Sequence, residues 1–354
     1  MKSDFAVPPE ACNAYYDLLF PAHTVFSWLD LQKESGLNIP NNREYAVQHF
    51  DGNFRRFKEF NSPDNLRTFL KSSNIASCHV GGVYEKSLEM PSQHNHVMYR
   101  EYILDIDISD YDLLRTCDCE RKQFCSHCWK YVATAVDGLN LIFDLSLGYR
   151  KYQWFFSGQR GVHCWVRDTN ALKMSQHMRT LLTKFIAYPK KYTGTPYYQL
   201  YDQVIKPVFY DFCLKDSEIF LNPFTRQMAA DYLPQYLRNN FYEQPETSLN
   251  FFEDWCIQLE DCYMRSRAKE LKRQLMFKVL YPRIDYNVSC APEHLIRCPF
   301  SVHPSSGRIV VPINHNAAQS IPEELQNYDV HNLHSAAILQ YARILDPSND
   351  ISIR

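Results

Sequence analysis

The segment YILDIDISDY, residues 102–111, constrains the fold of this chain more than any other stretch. Its apolar positions carry the β-branched and aromatic types that strands favour, so we predict a buried strand. Asp105 and Asp107 interrupt this strand one residue apart, and the period of two places both carboxylates on one face. Two neighbouring anions repel and are costly to desolvate, so the strand needs a compensating group.

A divalent cation is the natural compensating group for this Asp-x-Asp pair. Taken alone the pair is a weak signal, because most such pairs are surface carboxylates, but the apolar strand favours a chemical role. Mg²⁺ suits it, since proteins hold this ion with one or two carboxylates plus phosphates. Two such ions are the usual apparatus of nucleotidyl transfer.

Length and charge exclude several classes of protein. The 354 residues are enough for one large domain or two ordinary ones with a substantial core. The formal net charge is −2, so any binding to nucleic acid must come from local basic patches. The opening residues MKSDFAVPPEAC hold no apolar run, and no stretch approaches the roughly 20 apolar residues of a membrane span. We therefore expect a soluble, intracellular protein with no membrane partner.

Four of the 12 cysteines lie within the segment RTCDCERKQFCSHCW. The spacing C-x-C-x5-C-x2-C of Cys117, Cys119, Cys125 and Cys128 matches a closed tetrahedral structural zinc site. His127 is a possible substitute ligand, and free buried thiols are the alternative interpretation.

Apolar spacing and turn residues predict the order of elements along the chain. In the first half of the chain we expect helices in the first 35 residues ending at Gly36, a hairpin over 43–60, a helix beginning at Ser62-Pro63, and strands between 79 and 108 around the loop PSQHNH. A helix over 129–148 and two strands around Gly158–Gly161 should follow. In the second half we expect helices over 171–280 broken at Pro189, Pro207, Pro223, Pro234 and Pro245, then strands at IDYNVS and RIVVPI, and a helical end, IPEELQNY…SAAILQYARIL. This order predicts an α/β catalytic module over 1–170 and 281–354, carrying the zinc motif 117–128, with a helical subdomain inserted at 171–280.

Two further segments carry candidate binding residues. In FFSGQRGVHCWV, the glycines permit close backbone approach to a phosphate, and Ser157, Arg160 and His163 offer hydrogen-bond donors. The alternative is a plain hairpin turn followed by a satisfied strand histidine. In RIDYNVSCAPEHLIRCPFSVHPSSGRIVVPI, Asp285 is a lone carboxylate after an apolar lead-in, and such a residue more often serves as a turn or cap residue. The same segment contains three basic groups within one predicted hairpin, Arg297, His303 and Arg308.

Together these segments resemble, in this order, the small catalytic subunit of archaeal and eukaryotic DNA primases, and the resemblance is close to the eukaryotic form. DIDISDYD, SGQRGVHCWV and PFSVHPSSGRIVVPI look like the three signature motifs of that family, with weaker similarity at REY, FRRF and GGVY. The resemblance covers roughly residues 10–313. It implies the archaeo-eukaryotic primase fold, an α/β (α+β) fold in which a mixed sheet carries the catalytic carboxylates beside an inserted helical subdomain and a structural zinc site.

The resemblance also implies a role for each candidate site residue. Catalytic metal binding would fall to Asp105, Asp107 and Asp285, nucleotide binding to Glu44, Arg56, Ser157, Arg160, His163, Arg297 and His303, and zinc binding to Cys117, Cys119, Cys125 and Cys128. For Arg56 the resemblance implies a contact with phosphate.

Four positions depart from the pattern of the eukaryotic relatives. Gln159 stands where many have Arg, and Arg297 where many have Lys, which changes the hydrogen-bonding geometry. His79 stands where an acidic residue meets the ribose 2′-hydroxyl, so ribonucleotide selection is in question. Asp118 separates two cysteines that are adjacent in those relatives. None of these changes removes a catalytic carboxylate.

The implied function is that of a DNA-dependent RNA polymerase, a primase making short RNA primers on single-stranded DNA from NTPs. The implied cofactors are two catalytic Mg²⁺ or Mn²⁺ ions and one structural Zn²⁺. The implied partners are a primase large subunit and a DNA polymerase alpha complex, and the implied location is the nucleus. The alternatives are a primase-fold polymerase that uses dNTPs in repair or translesion synthesis, and an inactive zinc-stabilised scaffold that binds DNA or a partner.

Overall fold

The protein is described by a computed structural model over residues 5–88, 95–119, 123–187, 194–314 and 335–346. Its packing separates two compact units. Unit 1 comprises Met1–Asp105, Tyr149–Tyr188 and Ile284–Arg354, and unit 2 comprises Ile106–Gly148 and Pro189–Arg283. Packing thus groups the zinc motif with unit 2 and residues 171–188 with unit 1. The predicted catalytic module and helical subdomain have other boundaries than these two units, and that division stays a prediction.

Nine strands are described. In chain order they are β1 (Arg43–His49), β2 (Phe54–Lys58), β3 (Ile75–Tyr84), β4 (Val97–Tyr99), β5 (Tyr102–Asp107), β6 (Tyr152–Phe156), β7 (Gly161–Val166), β8 (Ile296–Arg297) and β9 (Val311–Ile313). One sheet has the order β2-β1-β3-β4, with β8 also paired to β3, and the other has the order β5-β7-β6-β9. Every strand pair whose register is described is antiparallel.

Helices make up most of the remaining described chain. In chain order they are α1 (Pro9–Leu18), α2 (Ala22–Leu29), α3 (Leu31–Ser35), α4 (Pro63–Ser72), α5 (Ser126–Ile142), α6 (Thr169–Leu172), α7 (Gln176–Ala187), α8 (Thr195–Leu200), α9 (Lys206–Val208), α10 (Pro223–Ala230), α11 (Gln235–Arg238), α12 (Ser248–Cys262), α13 (Arg265–Leu280), α14 (Tyr286–Cys290) and α15 (Ser335–Leu345). Single-turn 3₁₀ segments lie at Ile108–Tyr111, Ile219–Leu221 and Asn239–Phe241, and π-helical segments at Phe143–Leu147, Tyr201–Ile205 and Phe209–Asp216. The predicted α/β (α+β) fold class is confirmed.

Local chemistry explains several elements that the sequence predicts. Gly36, with a φ of 63°, ends α3 in the left-handed conformation that glycine adopts without strain. The Ser62 side chain accepts a hydrogen bond from the Asn65 N–H and caps α4. Gly52, with a φ of 87°, turns the hairpin between β1 and β2.

Two local predictions are wrong. IDYNVS is not a strand, because the Asp285 side chain accepts from the Asn287 and Val288 N–H groups and starts α14. Pro207 does not break its helix, because the helical backbone continues through it from α8 to Asp216, with a π-helical segment on each side of α9. Pro189, most of PSQHNH and the first part of the helical end, IPEELQNY, lie outside the described residues.

The core of unit 1 combines aromatic packing with a buried ionic cluster. Glu101 is fully buried and accepts from both terminal nitrogens of Arg43, at 2.9 and 3.0 Å. Burial opposes its ionisation, but the guanidinium groups of Arg43 and Arg100 outweigh burial and lower the pKa of Glu101 to about 2. Arg179 reaches the same cluster from α7 and donates to the Glu101 carbonyl at 3.0 Å. The cluster therefore joins α7 to β1 and to the residues between β4 and β5.

Unit 2 is held by a cluster of aromatic rings. Phe220 stacks on Phe251 with ring centroids 4.6 Å apart, Phe252 lies 5.7 Å from Trp255, and Trp255 donates to the Ala229 carbonyl at 2.8 Å.

Among the described helices, none is both long and apolar enough to cross a membrane.

Candidate active site and cysteine cluster

The two aspartates of β5 alternate with buried apolar residues. Leu104 and Ile106 are fully buried, whereas Asp105 and Asp107 are half-buried, as alternation along a strand requires. Asp107 Oδ1 accepts from the Ser109 N–H at 2.8 Å and from its hydroxyl at 2.7 Å. Asp107 thus ends the strand and begins the 3₁₀ turn that follows.

Asp285 is held next to Asp105 through the backbone. The Asp285 N–H donates to the Asp105 carbonyl at 2.9 Å. The Asp285 side chain also caps α14, as the alternative interpretation of this residue as a cap predicts. Sequence spacing did not predict that Asp285 lies beside Asp105.

A buried histidine faces Asp105 from β7. His163 Nε2 lies 3.7 Å from Asp105 Oδ1, and the histidine side chain is only 5% exposed. Burial, with a smaller effect of Arg297, lowers the pKa of His163 to about 3, so the ring is neutral at physiological pH. His163 Nδ1 is buried and has no hydrogen-bond partner among the described residues.

Arg297 brings a partly buried positive charge to the same group. It lies in β8 directly opposite His79 of β3. Burial lowers the pKa of Arg297 to about 10, partly opposed by Asp105, so the group remains cationic at neutral pH. Its Nε hydrogen is buried without an acceptor in the described part of the chain. A partly buried guanidinium with a spare donor suits an anionic ligand.

His79 and His303 complete a set of neutral rings around Arg297. Burial and the Arg297 charge lower the pKa of His79 to about 3 and that of His303 to about 2. His79 Nε2 lies 3.0 Å from the Ser77 hydroxyl, and its ring packs edge-on against Phe54. His79 therefore offers no anionic group at the position where the relatives' acidic residue is expected.

Two turns interlock beside these rings. Gly158, with a φ of 88°, lies so close to His303 that an added Cβ would be 2.9 Å from the His303 Cβ. Gln159 Nε2 donates to the Ser305 hydroxyl at 3.1 Å, and the Ser306 hydroxyl donates to the Gly158 carbonyl at 2.6 Å. Gln159, which sequence comparison presents as a lost positive charge, is thus a tie between the turns.

The turn after β6 is a hairpin, as the alternative interpretation of SGQRG predicts. Its residues nevertheless lie next to Arg297. Ser157 Oγ accepts from the Gly161 N–H at 3.2 Å. The Arg297 guanidinium lies 3.5 Å from the Ser157 carbonyl. Arg160 is partly exposed on the same turn.

Glu44 and Arg56 form a pair on β1 and β2. Fully buried Glu44 accepts from Arg56 Nε at 2.8 Å and from its terminal nitrogen at 3.0 Å. The Arg56 side chain is 34% exposed. Tyr84 donates to Glu44 at 3.2 Å, a role that the sequence did not predict although it marked the GGVY segment. Gly81 is required here, because a Cβ would lie 2.6 Å from Glu44 Oε2.

The four predicted cysteines form one cluster within unit 2. The sulfur atoms of Cys117, Cys119, Cys125 and Cys128 all lie within 4.8 Å of one another. Zn–S bonds of about 2.3 Å in a tetrahedron separate sulfurs by about 3.8 Å, and the Cys125 and Cys128 sulfurs are 3.8 Å apart. This donor set fits Zn²⁺. His127 is not a member of the cluster, and its ring packs against Phe212.

Similarity to known proteins covers most of the chain. The model of a family described as DNA primase small subunit matches residues 104–315. The DNA primase small subunit of Saccharomyces cerevisiae is 26% identical over 333 residues, covering 86% of this chain and 81% of the relative. The Caenorhabditis elegans protein is 28% identical over 340 residues, covering 86% and 82%. The Drosophila melanogaster protein is 27% identical over 337 residues, covering 86% and 76%.

Proposed function

The chain belongs to the DNA primase small subunit family, and from that premise we propose that it is the nucleotidyltransferase that makes RNA primers on single-stranded DNA. The single observation that carries this proposal is the group around Asp105. The backbone N–H of Asp285 donates to the backbone carbonyl of Asp105, and a neutral histidine and the partly buried cation Arg297 lie beside Asp105. Such a group suits a metal-bound triphosphate.

Asp105, Asp107 and Asp285 would hold the two Mg²⁺ or Mn²⁺ ions. When bound, such ions lower the pKa of the attacking 3′-hydroxyl and neutralise charge on the departing pyrophosphate. The chain's own contribution is to fix the carboxylates: Asp107 through Ser109, and Asp285 through the Asn287 N–H. Fixed ligands do not have to be ordered when the metal arrives.

The remaining residues would bind and orient the nucleotide. Arg160 and Arg297 supply permanent positive charge, and Ser157, His163 and His303 supply neutral polar groups. Neutral histidines orient phosphate oxygens without adding like charge around the partly buried Arg297. Arg56 is engaged by Glu44, so we propose that it meets phosphate through its exposed edge.

The four cysteines would hold one structural Zn²⁺. Cys125 is the N-cap residue of α5, and Cys128 lies in its first turn. A zinc ion on these sulfurs would anchor the start of a 17-residue helix.

A small subunit implies a larger partner subunit. The net charge of −2 gives this chain little general attraction for a polyanionic template. We propose that the large subunit adds template affinity and supports initiation, that the pair joins a DNA polymerase alpha complex, and that the assembly works in the nucleus.

The deciding experiment is primer synthesis from labelled NTPs on unprimed single-stranded DNA. The purified full chain is assayed with Mg²⁺ or Mn²⁺, with and without an added dinucleotide, beside an Asp105→Asn/Asp107→Asn variant. Short RNA products that disappear in the variant are the expected result. Extension only from the dinucleotide would assign initiation to the partner. No incorporation by folded protein would instead favour the inactive scaffold.

Neutral, partly buried His79 is the one observation that favours a second candidate, a polymerase that uses dNTPs. Comparing kcat/KM for NTPs and dNTPs separates the two functions. A preference for NTPs is expected from a primase, and a preference for dNTPs would favour repair or translesion synthesis.

A further inference from the structure

The segment that carries Arg297 and His303 contains a strained residue. Phe300 is fully buried and has a φ of 61°, which a side chain with a Cβ adopts only when its surroundings impose it. Its N–H donates to the Val310 carbonyl at 2.7 Å. Residues 297–308, called here the pocket segment, therefore depend on contacts that hold Phe300 in place.

Those contacts come from the first helix of the chain. The Tyr15 hydroxyl donates to the Phe300 carbonyl at 2.7 Å. The Tyr16 hydroxyl accepts from the Val302 N–H at 3.3 Å and lies 3.4 Å from the Ser301 hydroxyl. Burial raises the pKa of both tyrosines, so their hydroxyls stay protonated at physiological pH.

The residues just before this helix hold the far end of the pocket segment. The Ala6 N–H donates to the Pro304 carbonyl at 2.8 Å. Val7 is 4% exposed and lies so close to Gly307 that a Cβ there would be 2.5 Å from Val7 Cγ2. The turn bearing His303 is thus covered by the N-terminal residues.

A hydrogen-bond relay extends the same contacts to His79. The Ser301 hydroxyl, next to Tyr16, accepts from the Cys78 N–H at 2.8 Å. Cys78 directly precedes His79, and His79 lies opposite Arg297 in the sheet. One serine thus connects α1, the pocket segment and β3.

We infer that Ala6, Val7, Tyr15 and Tyr16, the N-terminal clamp, are positioning residues for nucleotide binding, and that the two tyrosyl hydroxyls set the affinity for the nucleoside triphosphate by holding Phe300–Val302. The clamp touches the backbone of the pocket segment and acts on the ligand through Arg297 and His303. The inference rests on the proposed function, because it takes the ligand to be an NTP.

The test uses Tyr15→Phe, Tyr16→Phe and the double variant in the full chain. Phenylalanine keeps the ring packing of Tyr15 and Tyr16, whose centroids are 5.4 Å apart, and removes only the hydroxyls. The matched control is Tyr263→Phe, which removes a hydroxyl that donates to the Tyr232 carbonyl in unit 2. NTP is titrated in extension of a primed template, and NTP binding is measured directly by equilibrium titration.

We expect each single variant to raise KM and the NTP dissociation constant by about two- to tenfold, and the double variant by more. We expect kcat at saturating NTP to stay within about twofold, and the control to match the wild type. An unchanged KM in the double variant, a loss confined to kcat, or an equal change in the control would overturn the inference.

The binding titration distinguishes failure of the inference from failure of the proposed function. A wild-type chain that binds NTP without incorporating it would remove the proposed function, and weaker NTP binding by the variants would still support the clamp. A wild-type chain that neither binds nor incorporates NTP would remove both.

Discussion

The group around Asp105 and the cysteine cluster are built in opposite ways. The four cysteines come from residues 117–128, so a short local segment suffices to bring their sulfurs together. The Asp105 group draws on β3, β5, β7, β8 and the start of α14, which lie far apart in the sequence. A local site should fail locally, through metal loss and stability, whereas an assembled site should fail through chemistry and affinity while the fold persists.

The largest effect should come from removing charge at a proposed catalytic carboxylate. Asp285→Asn keeps a side-chain oxygen that can cap α14, since Asn and Asp cap equally well. We expect kcat to fall about a thousandfold or more, equivalent to about 4 kcal/mol, with little change in the melting temperature. Steady-state primer extension and thermal unfolding measure the two quantities. Asp254→Asn, on an exposed face of α12, is the control. Retained activity in Asp285→Asn would reduce Asp285 to a cap.

Loss of one zinc ligand should act on stability first. The native chain should contain about one zinc, and Cys128→Ser should lose it and lower the free energy of unfolding by about 3 kcal/mol or more. Metal analysis and thermal unfolding provide the measurements. Cys256→Ser, which changes a partly exposed cysteine of α12, should leave both values near those of the native chain. Zero zinc in protein never exposed to chelator would contradict the prediction.

Replacing Arg297 should separate affinity from stability. Arg297→Met removes a partly buried cation and keeps an apolar chain of similar length. We expect KM for NTP to rise by about ten- to a hundredfold, because charge-assisted hydrogen bonds contribute about 1.5–3 kcal/mol. The melting temperature should stay the same or rise, since a desolvated charge is removed. Arg265→Ala, at an exposed position in α13, is the control. A clear fall in melting temperature would mean that Arg297 stabilises the fold.

The smallest effect should be on the pH dependence of stability. The folded pKa of His79 is about 3, below the ordinary value of 6.5. Between these values the unfolded chain binds the proton and the folded chain does not, so the His79 contribution is complete above pH 6.5 and is lost as pH falls. His79→Gln should reduce the slope of unfolding free energy against pH, between pH 6.5 and 5, by up to about 1.4 kcal/mol per pH unit. Denaturant unfolding at several pH values measures it, with exposed His23→Gln as control. An unchanged slope would show that His79 takes up its proton in the folded chain.

The sequence carried the local parts of this structure. The C-x-C-x5-C-x2-C spacing, the cap at Ser62 and the hairpin at Gly52 are each specified by a few adjacent residues, and all three lie where they were predicted. The family resemblance, carried by three motifs, is confirmed by the family match over residues 104–315.

The parts that the sequence did not predict depend on contacts between distant residues. IDYNVS has the composition of a strand, but the Asp285 cap made a helix of it. No local pattern indicates that Gln159 would meet Ser305, or that Tyr84 would hold Glu44. The roles of individual site residues stay predictions until the variants above are measured.

The division of unit 1 into three separate stretches of chain has a consequence for protein synthesis. Unit 2 is complete in sequence once Arg283 has been made, but unit 1 still lacks everything from Ile284 onward, including β8 and β9. Until β8 and β9 have been made, β3 and β6 each lack a neighbouring strand and leave backbone groups unpaired. Unpaired strand edges favour association with other chains. The ribosome therefore starts unit 1 before unit 2 but finishes unit 2 first.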